Sequence, residues 1–340
     1  MWRYKEILPV LNEKNIVSLG EGYTPIINAK RASETLDLKI YIKDDGIIPT
    51  GSFKARGQST AVSKAKELGI NKITLASAGN AGGALAAYAA RAGLEAYIFV
   101  PKDVPQINAK ECMMMGANVF GVDGLINDAG SIASSCSKKY GWFNCSTLRE
   151  PYRVEGKKTM GFEIAEQFGW SLPDVILYPT GGGTGLVGMW KGFHELEEMG
   201  WISSKRPRMV AVQSSGCSPV VKAFHDGKEE VDPFPKANTV ASGIRVPSPY
   251  ASEQILRVIR ASKGSAVSVN DNDILSAMRE LWADGIYVCP EGAATLVGLK
   301  ILQSNGWVNH GENILLYNTG SALKYEETLP SDQMIILPKG

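Results

Sequence analysis

Short apolar runs alternate along the chain with longer stretches whose apolar residues recur at helical spacing. Asn71–Ala76 (NKITLA) precedes GGALAAYAARAG, Glu95–Pro101 (EAYIFVP) precedes DVPQINAKECMMMG, and ANVFGVD precedes NDAGSIASSCSKKYG. The rhythm returns in the second half as DVILYPT, GLVGMWKGFHELEEMG and RMVAVQSS. Strand, helix and strand at these spacings predict βαβ units, and hence an α/β protein built on open parallel sheets covered by helices on both faces. Residues 151–160, PYRVEGKKTM, are polar and fall between the two series, where they are expected to carry the chain from one domain to the other. No internal repeat, low-complexity tract or long linker interrupts the pattern.

Length supports two domains. A single core rarely grows past about 250–300 residues, and this chain has 340. Thirty-six basic and 35 acidic residues leave a formal charge of +1, so no net field of either sign draws nucleic acid or an anionic membrane. The expected partner is a small molecule. Five cysteines, Cys112, Cys136, Cys145, Cys217 and Cys289, are odd in number, scattered and without a C-x-x-C pair. They read as reduced thiols of a cytoplasmic protein, not as a disulfide framework or a zinc site. The start, MWRYKEILPV, lacks the basic-then-apolar layout of a secretory signal, and no apolar run reaches the roughly 18–20 residues that span a bilayer.

The glycines carry the chemistry. SAGNAGG (Ser77–Gly83), TGGGTG (Thr180–Gly185) and NTGS (Asn318–Ser321) each follow an apolar strand directly, which puts each at the carboxyl edge of a parallel sheet, where open α/β sheets bind ligands. A glycine-rich turn lets backbone N–H groups approach a ligand, and the following helix adds its positive N-terminal end, a combination suited to phosphate. Gly183, Gly185 and Gly188 also satisfy G-x-G-x-x-G. A dinucleotide site needs an acid at the end of the next strand to hold the ribose hydroxyls, and RMVAVQSS ends instead in Gln213 and Ser214. What remains is a phosphate cradle without a ribose clamp.

A phosphate-bearing cofactor that is not a nucleotide, beside a singular lysine, points to pyridoxal 5'-phosphate, whose aldehyde bonds to a lysine amine. Lys54 in PTGSFKARG suits that role. Thr50 or Ser52 is expected to cap a helix through FKARGQSTAVSKAKELG, placing Lys54 in its first turn. The helix terminus and burial beside Phe53 should both lower the amine pKa, making a better nucleophile and base.

These motifs together resemble the fold type II pyridoxal-phosphate enzymes, which include threonine synthase, the serine and threonine ammonia-lyases and the cysteine synthases. GEGYTPI, PTGSFKARG, SAGNAGG, EPYRVEGKKT, PTGGGTGLVG, EGAATLVGLK and NTGSALK occur in the family's order over nearly the whole chain. The resemblance implies a tryptophan synthase beta-like pair of domains, with residues 1–55 and 155–340 forming a large cofactor-binding domain and 56–154 a small substrate-side domain. It implies that Lys54 bonds the cofactor, that Asn80 meets its phenolic oxygen, and that Gly181, Gly182, Gly183, Thr184 and Gly185 hold its phosphate. Thr319 would meet the pyridine nitrogen, a neutral partner suited to eliminations and replacements at the β- and γ-carbons. Backbone N–H groups of Ser77, Ala78 and Gly79 would receive the carboxylate of a small amino-acid substrate, and the protein would be a homodimer.

PTGSFK, YRVEGKKT and the threonine before Gly320 are most similar to the threonine synthases, lyases that take O-phosphohomoserine and water to threonine and phosphate. Arg153 would then bind the substrate phosphate; its alternative is a salt bridge at a domain hinge. The chain departs from the branch at Ile48 and Ala55, where an Asn and an Asp are usual, and in STLREPYR, where an Asn-Ser pair is usual. Two other readings stay open. A serine or threonine ammonia-lyase needs the same cofactor but no second phosphate site, and a non-catalytic homologue would bind the cofactor without turnover. Intact Lys54, Asn80 and Thr319 argue against the last.

Overall fold

A computed structural model describes residues 1–102 and 104–329. The last part of the expected large domain, residues 330–340, therefore lies outside the described residues. The strands are β1 (Ile26–Asn28), β2 (Lys39–Asp44), β3 (Lys72–Ala76), β4 (Glu95–Pro101), β5 (Asn118–Val122), β6 (Phe143–Asn144), β7 (Val175–Pro179), β8 (Arg208–Ser214), β9 (Ser265–Val269) and β10 (Asn313–Asn318). The helices are α1 (Lys30–Leu36), α2 (Lys54–Glu67), α3 (Asn80–Ala92), α4 (Gln106–Met114), α5 (Ile126–Tyr140), α6 (Tyr152–Gln167), α7 (Thr184–Glu198), α8 (Pro219–His225), α9 (Ser252–Ala261), α10 (Asp271–Trp282) and α11 (Pro290–Ser304).

Two sheets result. One has six strands in the order β1-β2-β10-β7-β8-β9, and the other four in the order β5-β4-β3-β6. Every pairing is parallel except β1 with β2. The strands are apolar on both faces because both faces are covered. In the larger sheet Val175, Leu177, Val210, Val212, Ile314 and Leu316 pack towards α1, α10 and α11. The alternating Ile176, Tyr178, Met209, Ala211, Leu315 and Tyr317 pack towards α6, α7, α8 and α9. The smaller sheet is sandwiched likewise, with Ile73, Leu75, Ile98 and Val100 in the core shared with α2 and α3 and Phe99 facing α5. No described helix is long and apolar enough to cross a membrane.

Two local expectations are corrected. Residues 151–160 do lie where the chain passes from β6 of the smaller sheet to β7 of the larger, but as the opening turns of α6, where Arg153, Lys157, Lys158 and Thr159 are buried. Glycines explain the helix's close seating. A side chain at Gly156 would collide with the Arg56 carbonyl of α2, and one at Gly192 of α7 would press on the Lys158 carbonyl. The stretch is polar in composition yet interior in position because Lys158 is paired with Glu155 at 2.7 Å and Glu195 at 2.8 Å. Neither Thr50 nor Ser52 caps α2: Phe53 occupies the cap position without a side-chain bond. Thr50 instead takes a left-handed conformation, φ 66°, in a segment shaped by contacts to distant chain.

Candidate active site

The loops after β3, β7 and β10 gather at the carboxyl edges of the two sheets, around the first turn of α2. Long-range backbone bonds put Lys54 there. Phe53 N donates to Thr319 O at 3.0 Å, Ser321 N donates to Gly51 O at 3.0 Å, and Ser52 bridges Gly320. Two residues beyond Lys54, Arg56 is buried and forked between two carboxylates. Its Nε and Nη2 donate to Asp45 at 2.7 and 2.8 Å, and its Nη1 and Nη2 donate to Glu163 at 2.6 and 2.8 Å. Such bidentate pairs fix a side chain in direction as well as distance. The arginine of FKARG is thus an anchor that clamps the start of α2 to the large sheet.

Lys54 itself is half-buried, with Nζ 3.9 Å from the centre of the Phe53 ring. Burial pushes its amine down from 10.5 to about 8, opposed by Glu291 and assisted by Arg153. The depressed amine expected from sequence is present, with desolvation as its main cause.

Ser77 organises the loop after β3: its Oγ accepts from Gly79 N and from Gly82 N, each at 3.1 Å. Ser77 N already donates to Phe99 O at 3.0 Å. Of the donors expected to receive a carboxylate, Ser77 and Gly79 are therefore engaged within the protein. Ala78 N, with Asn80 N and Ala81 N of the α3 terminus, has no partner among the described residues. Asn80 Nδ2 donates to the Tyr325 hydroxyl at 3.4 Å.

After β7, none of the N–H groups of Gly181, Gly182, Gly183, Thr184 and Gly185 has a partner among the described residues, and α7 begins without a side-chain cap. Unfilled donors on a helix N-terminus make an anion cradle. Its glycines serve different ends. A Cβ at Gly183 would run into Ile255 and one at Gly185 into the Tyr178 hydroxyl, whereas at Gly182 the nearest atom is Thr147 Cγ2 at 3.6 Å. Gly182 is the open face. Gln213, where a dinucleotide site needs an acid, is buried; its Nε2 donates to Thr180 O and its Oε1 accepts from Val220 N and Val221 N. That side chain braces the cradle and α8.

Thr319 Oγ1 lies 3.8 Å from Cys289 Sγ. The preceding Asn318 accepts from Cys289 N at 3.2 Å and donates to Asp44 at 2.7 Å. Arg153 is buried within α6, its Nε donating to Glu150 at 3.0 Å while Nη2 has no partner. That ion pair spans three residues of one segment, so it is not a domain-hinge bridge.

Orphaned buried polar atoms mark the site independently. Among the described residues they are Thr50 Oγ1, Ser52 Oγ, both amide atoms of Gln58, Arg153 Nη2, the Tyr178 hydroxyl and Glu291 Oε2. Thr50 and Ser52 lead into Lys54, Gln58 is one helical turn beyond it, Arg153 and Glu291 act on its charge, and Tyr178 stands edge-on to Phe53. Each unmet group costs about 1–3 kcal/mol. Their concentration round one lysine leaves unmet polar groups that a polar ligand could satisfy. Glu291, Gln58 and Lys157 escaped sequence reasoning; the available signal was a lone carboxylate in the otherwise apolar CPEGAATLVG.

A family model described as pyridoxal-phosphate dependent enzyme matches residues 17–320. The chain belongs to this family. Similar curated proteins include the threonine synthase of Methanocaldococcus jannaschii, 36% identical over 95% of this chain and 80% of the relative. The threonine synthase of Mycobacterium tuberculosis H37Rv is 32% identical over 98% of this chain and 91% of the relative. Among solved structures, maize serine racemase superposes with a TM-score of 0.77 at 21% identity, covering 88% of each chain. The processed threonine deaminase isoform 2 of Solanum lycopersicum gives 0.77 at 22%, covering 94% of this chain and 89% of the other. These structural likenesses establish the fold type II architecture. The enzyme's lining fits its cofactor: unfilled N–H groups for a phosphate, an open approach at Gly182, and a lysine that burial holds below its ordinary pKa.

Proposed function

We propose that the enzyme converts O-phosphohomoserine and water to threonine and phosphate. Pyridoxal phosphate, when bound, withdraws electron density from the substrate's α-carbon and so makes elimination at the γ-carbon and addition at the β-carbon accessible. The chain's own residues do the rest. The N–H groups of Gly181–Gly185 would hold the cofactor phosphate, the Asn80 amide would meet the phenolic oxygen, and the Thr319 hydroxyl would meet the ring nitrogen without enforcing its protonation. Lys54 would bond the cofactor, and its amine would take the substrate's α-proton and hand protons back along the carbon chain, a task suited to a group titrating at about 8. Ala78 N in the Ser77–Gly79 loop, with Asn80 N and Ala81 N of the α3 terminus, would receive the carboxylate. Arg153 receives the phosphate. We take residues 1–55 and 155–340 as the cofactor-binding domain and 56–154 as the substrate-side domain.

One observation favours a phosphorylated substrate over serine or threonine as an ammonia-lyase would use it: Arg153 is buried, close enough to Lys54 to lower its pKa, and has a free Nη2. A guanidinium edge of that kind binds an oxyanion with charge-assisted hydrogen bonds. The experiment is to incubate the purified holoenzyme separately with O-phosphohomoserine, threonine and serine, and to assay phosphate, threonine, ammonia and keto acid. Phosphate and threonine in equal amounts from O-phosphohomoserine are expected. Ammonia from threonine with no phosphate from O-phosphohomoserine would replace this reading with the ammonia-lyase.

A further inference from the structure

Lys157 is a cation that the roles above leave unused. It lies on α6 one turn after Arg153, at a spacing that puts the two side chains on one helical face, and is only 1% exposed. Its Nζ makes one hydrogen bond, to the Arg153 carbonyl at 3.3 Å, and no carboxylate pairs with it among the described residues. It stands 5.6 Å from the centre of the Phe53 ring that also carries Lys54 at 3.9 Å. An uncompensated buried ammonium opposes folding, yet the neighbouring helices are hollowed to admit this one. At Gly57 of α2 a Cβ would collide with Lys157 Nζ, and at Gly188 of α7 it would crowd Lys157 Cβ at 2.9 Å. Those helices carry Lys54 at the start of one and the phosphate cradle at the start of the other.

We propose that Lys157 is the second cation of a phosphate seat, shared with the free Nη2 edge of Arg153, that takes the phosphoryl dianion of the substrate. This rests on the phosphorylated-substrate reading and adds a residue to it. Burial, reinforced by Arg153 and Lys54 and opposed by Glu150, pushes the Lys157 pKa well below the ordinary lysine value, and a dianion beside it favours the charged form. An incoming dianion supplies the missing counter-charge. Phosphate monoesters reach this region from two sources, cofactor and substrate, and the test separates them.

Inorganic phosphate is titrated into the holoenzyme by calorimetry, with melting curves recorded with and without it, and cofactor retention is followed by visible absorbance through dialysis. Wild type should bind phosphate and melt higher in its presence. Lys157→Met should weaken phosphate at least tenfold, lose the phosphate-induced rise, melt without phosphate no lower than wild type, and keep its cofactor. Gly57→Ala keeps both cations but its Cβ displaces Lys157 Nζ and crowds Arg153 O at 3.0 Å, and it should also weaken phosphate. Wild type that binds no phosphate, or phosphate affinity within twofold of wild type in either folded variant, overturns the seat. So does loss of the cofactor from Lys157→Met, which assigns the charge to the cofactor, and so does unfolding of both variants, which makes Lys157 a structural residue. Turnover of O-phosphohomoserine with phosphate binding independent of Lys157 sinks the seat alone. Phosphate bound through Lys157 without release of phosphate from O-phosphohomoserine sinks the reaction alone.

Discussion

At the scale of a residue, the chemistry depends on how often Lys54 is neutral. With the amine at about 8 rather than 10.5, roughly a tenth is neutral at pH 7, against a few ten-thousandths for an ordinary lysine. Recombination of cofactor-free protein with pyridoxal phosphate should therefore accelerate about tenfold per pH unit below about 8 and level off above it, as followed by stopped-flow absorbance. The signs for its neighbours follow from charge. Glu291 favours the ammonium, so Glu291→Gln moves the midpoint down; Arg153 disfavours it, so Arg153→Met moves it up. A rate flat between pH 6 and 8 would count against the depressed amine. The same shift links to stability: the folded value lies below the unfolded one, so this lysine's contribution is fully present above 10.5 and is lost as the pH falls through about 8. A lysine next to Phe53 at a helix start carried enough in sequence to forecast the direction. Glu291 was silent, since nothing local reveals that Gly243 N, 48 residues away, donates to it at 2.6 Å and leaves its other oxygen free.

At the scale of an element, a strand followed at once by a glycine-bearing turn located all three loops, because that signal is local. Which glycine faces ligand is a tertiary fact. Gly183 sits at φ 71° against Ile255, whereas Gly182 meets nothing nearer than 3.6 Å. Gly183→Ala should therefore lower stability by about 2–4 kcal/mol, combining the left-handed backbone cost with overpacking, as read by urea denaturation. Gly182→Leu should melt near wild type and hold the cofactor more weakly, because its side chain enters the approach to the cradle. If Gly182→Leu keeps wild-type cofactor affinity, the phosphate does not enter over that residue. The helix α6 shows the converse failure of local signals. Its opening reads as a polar linker, and only the partners of Lys158 and the glycine contacts with α2 and α7 reveal an interior helix.

At the scale of the whole molecule, the alternation of strands and helices foretold two covered parallel sheets but not what ties their edges together over the site. One tie is Lys324, whose Nζ donates to Thr50 O at 2.8 Å and to both Glu111 oxygens at 2.9 and 2.8 Å. Glu111 belongs to α4 beside the smaller sheet, and the two residues are 213 positions apart in the chain, a separation no local pattern bridges. Gly83, in the loop's following helix, leaves the space this carboxylate fills. The pair is mostly buried, at 13% and 17% side-chain exposure, so its coupling should exceed that of a surface pair. A double-mutant cycle with Lys324→Met and Glu111→Gln should give about 0.5–3 kcal/mol. Because the contact joins the edges of two sheets that each have their own core, breaking it should speed amide exchange in α4 and in the loop at Thr50. Amides of β7 and β10, held within the large core, should stay protected. Uniformly faster exchange across both sheets would instead make the pair a contributor to global stability, with no particular hold on the cleft.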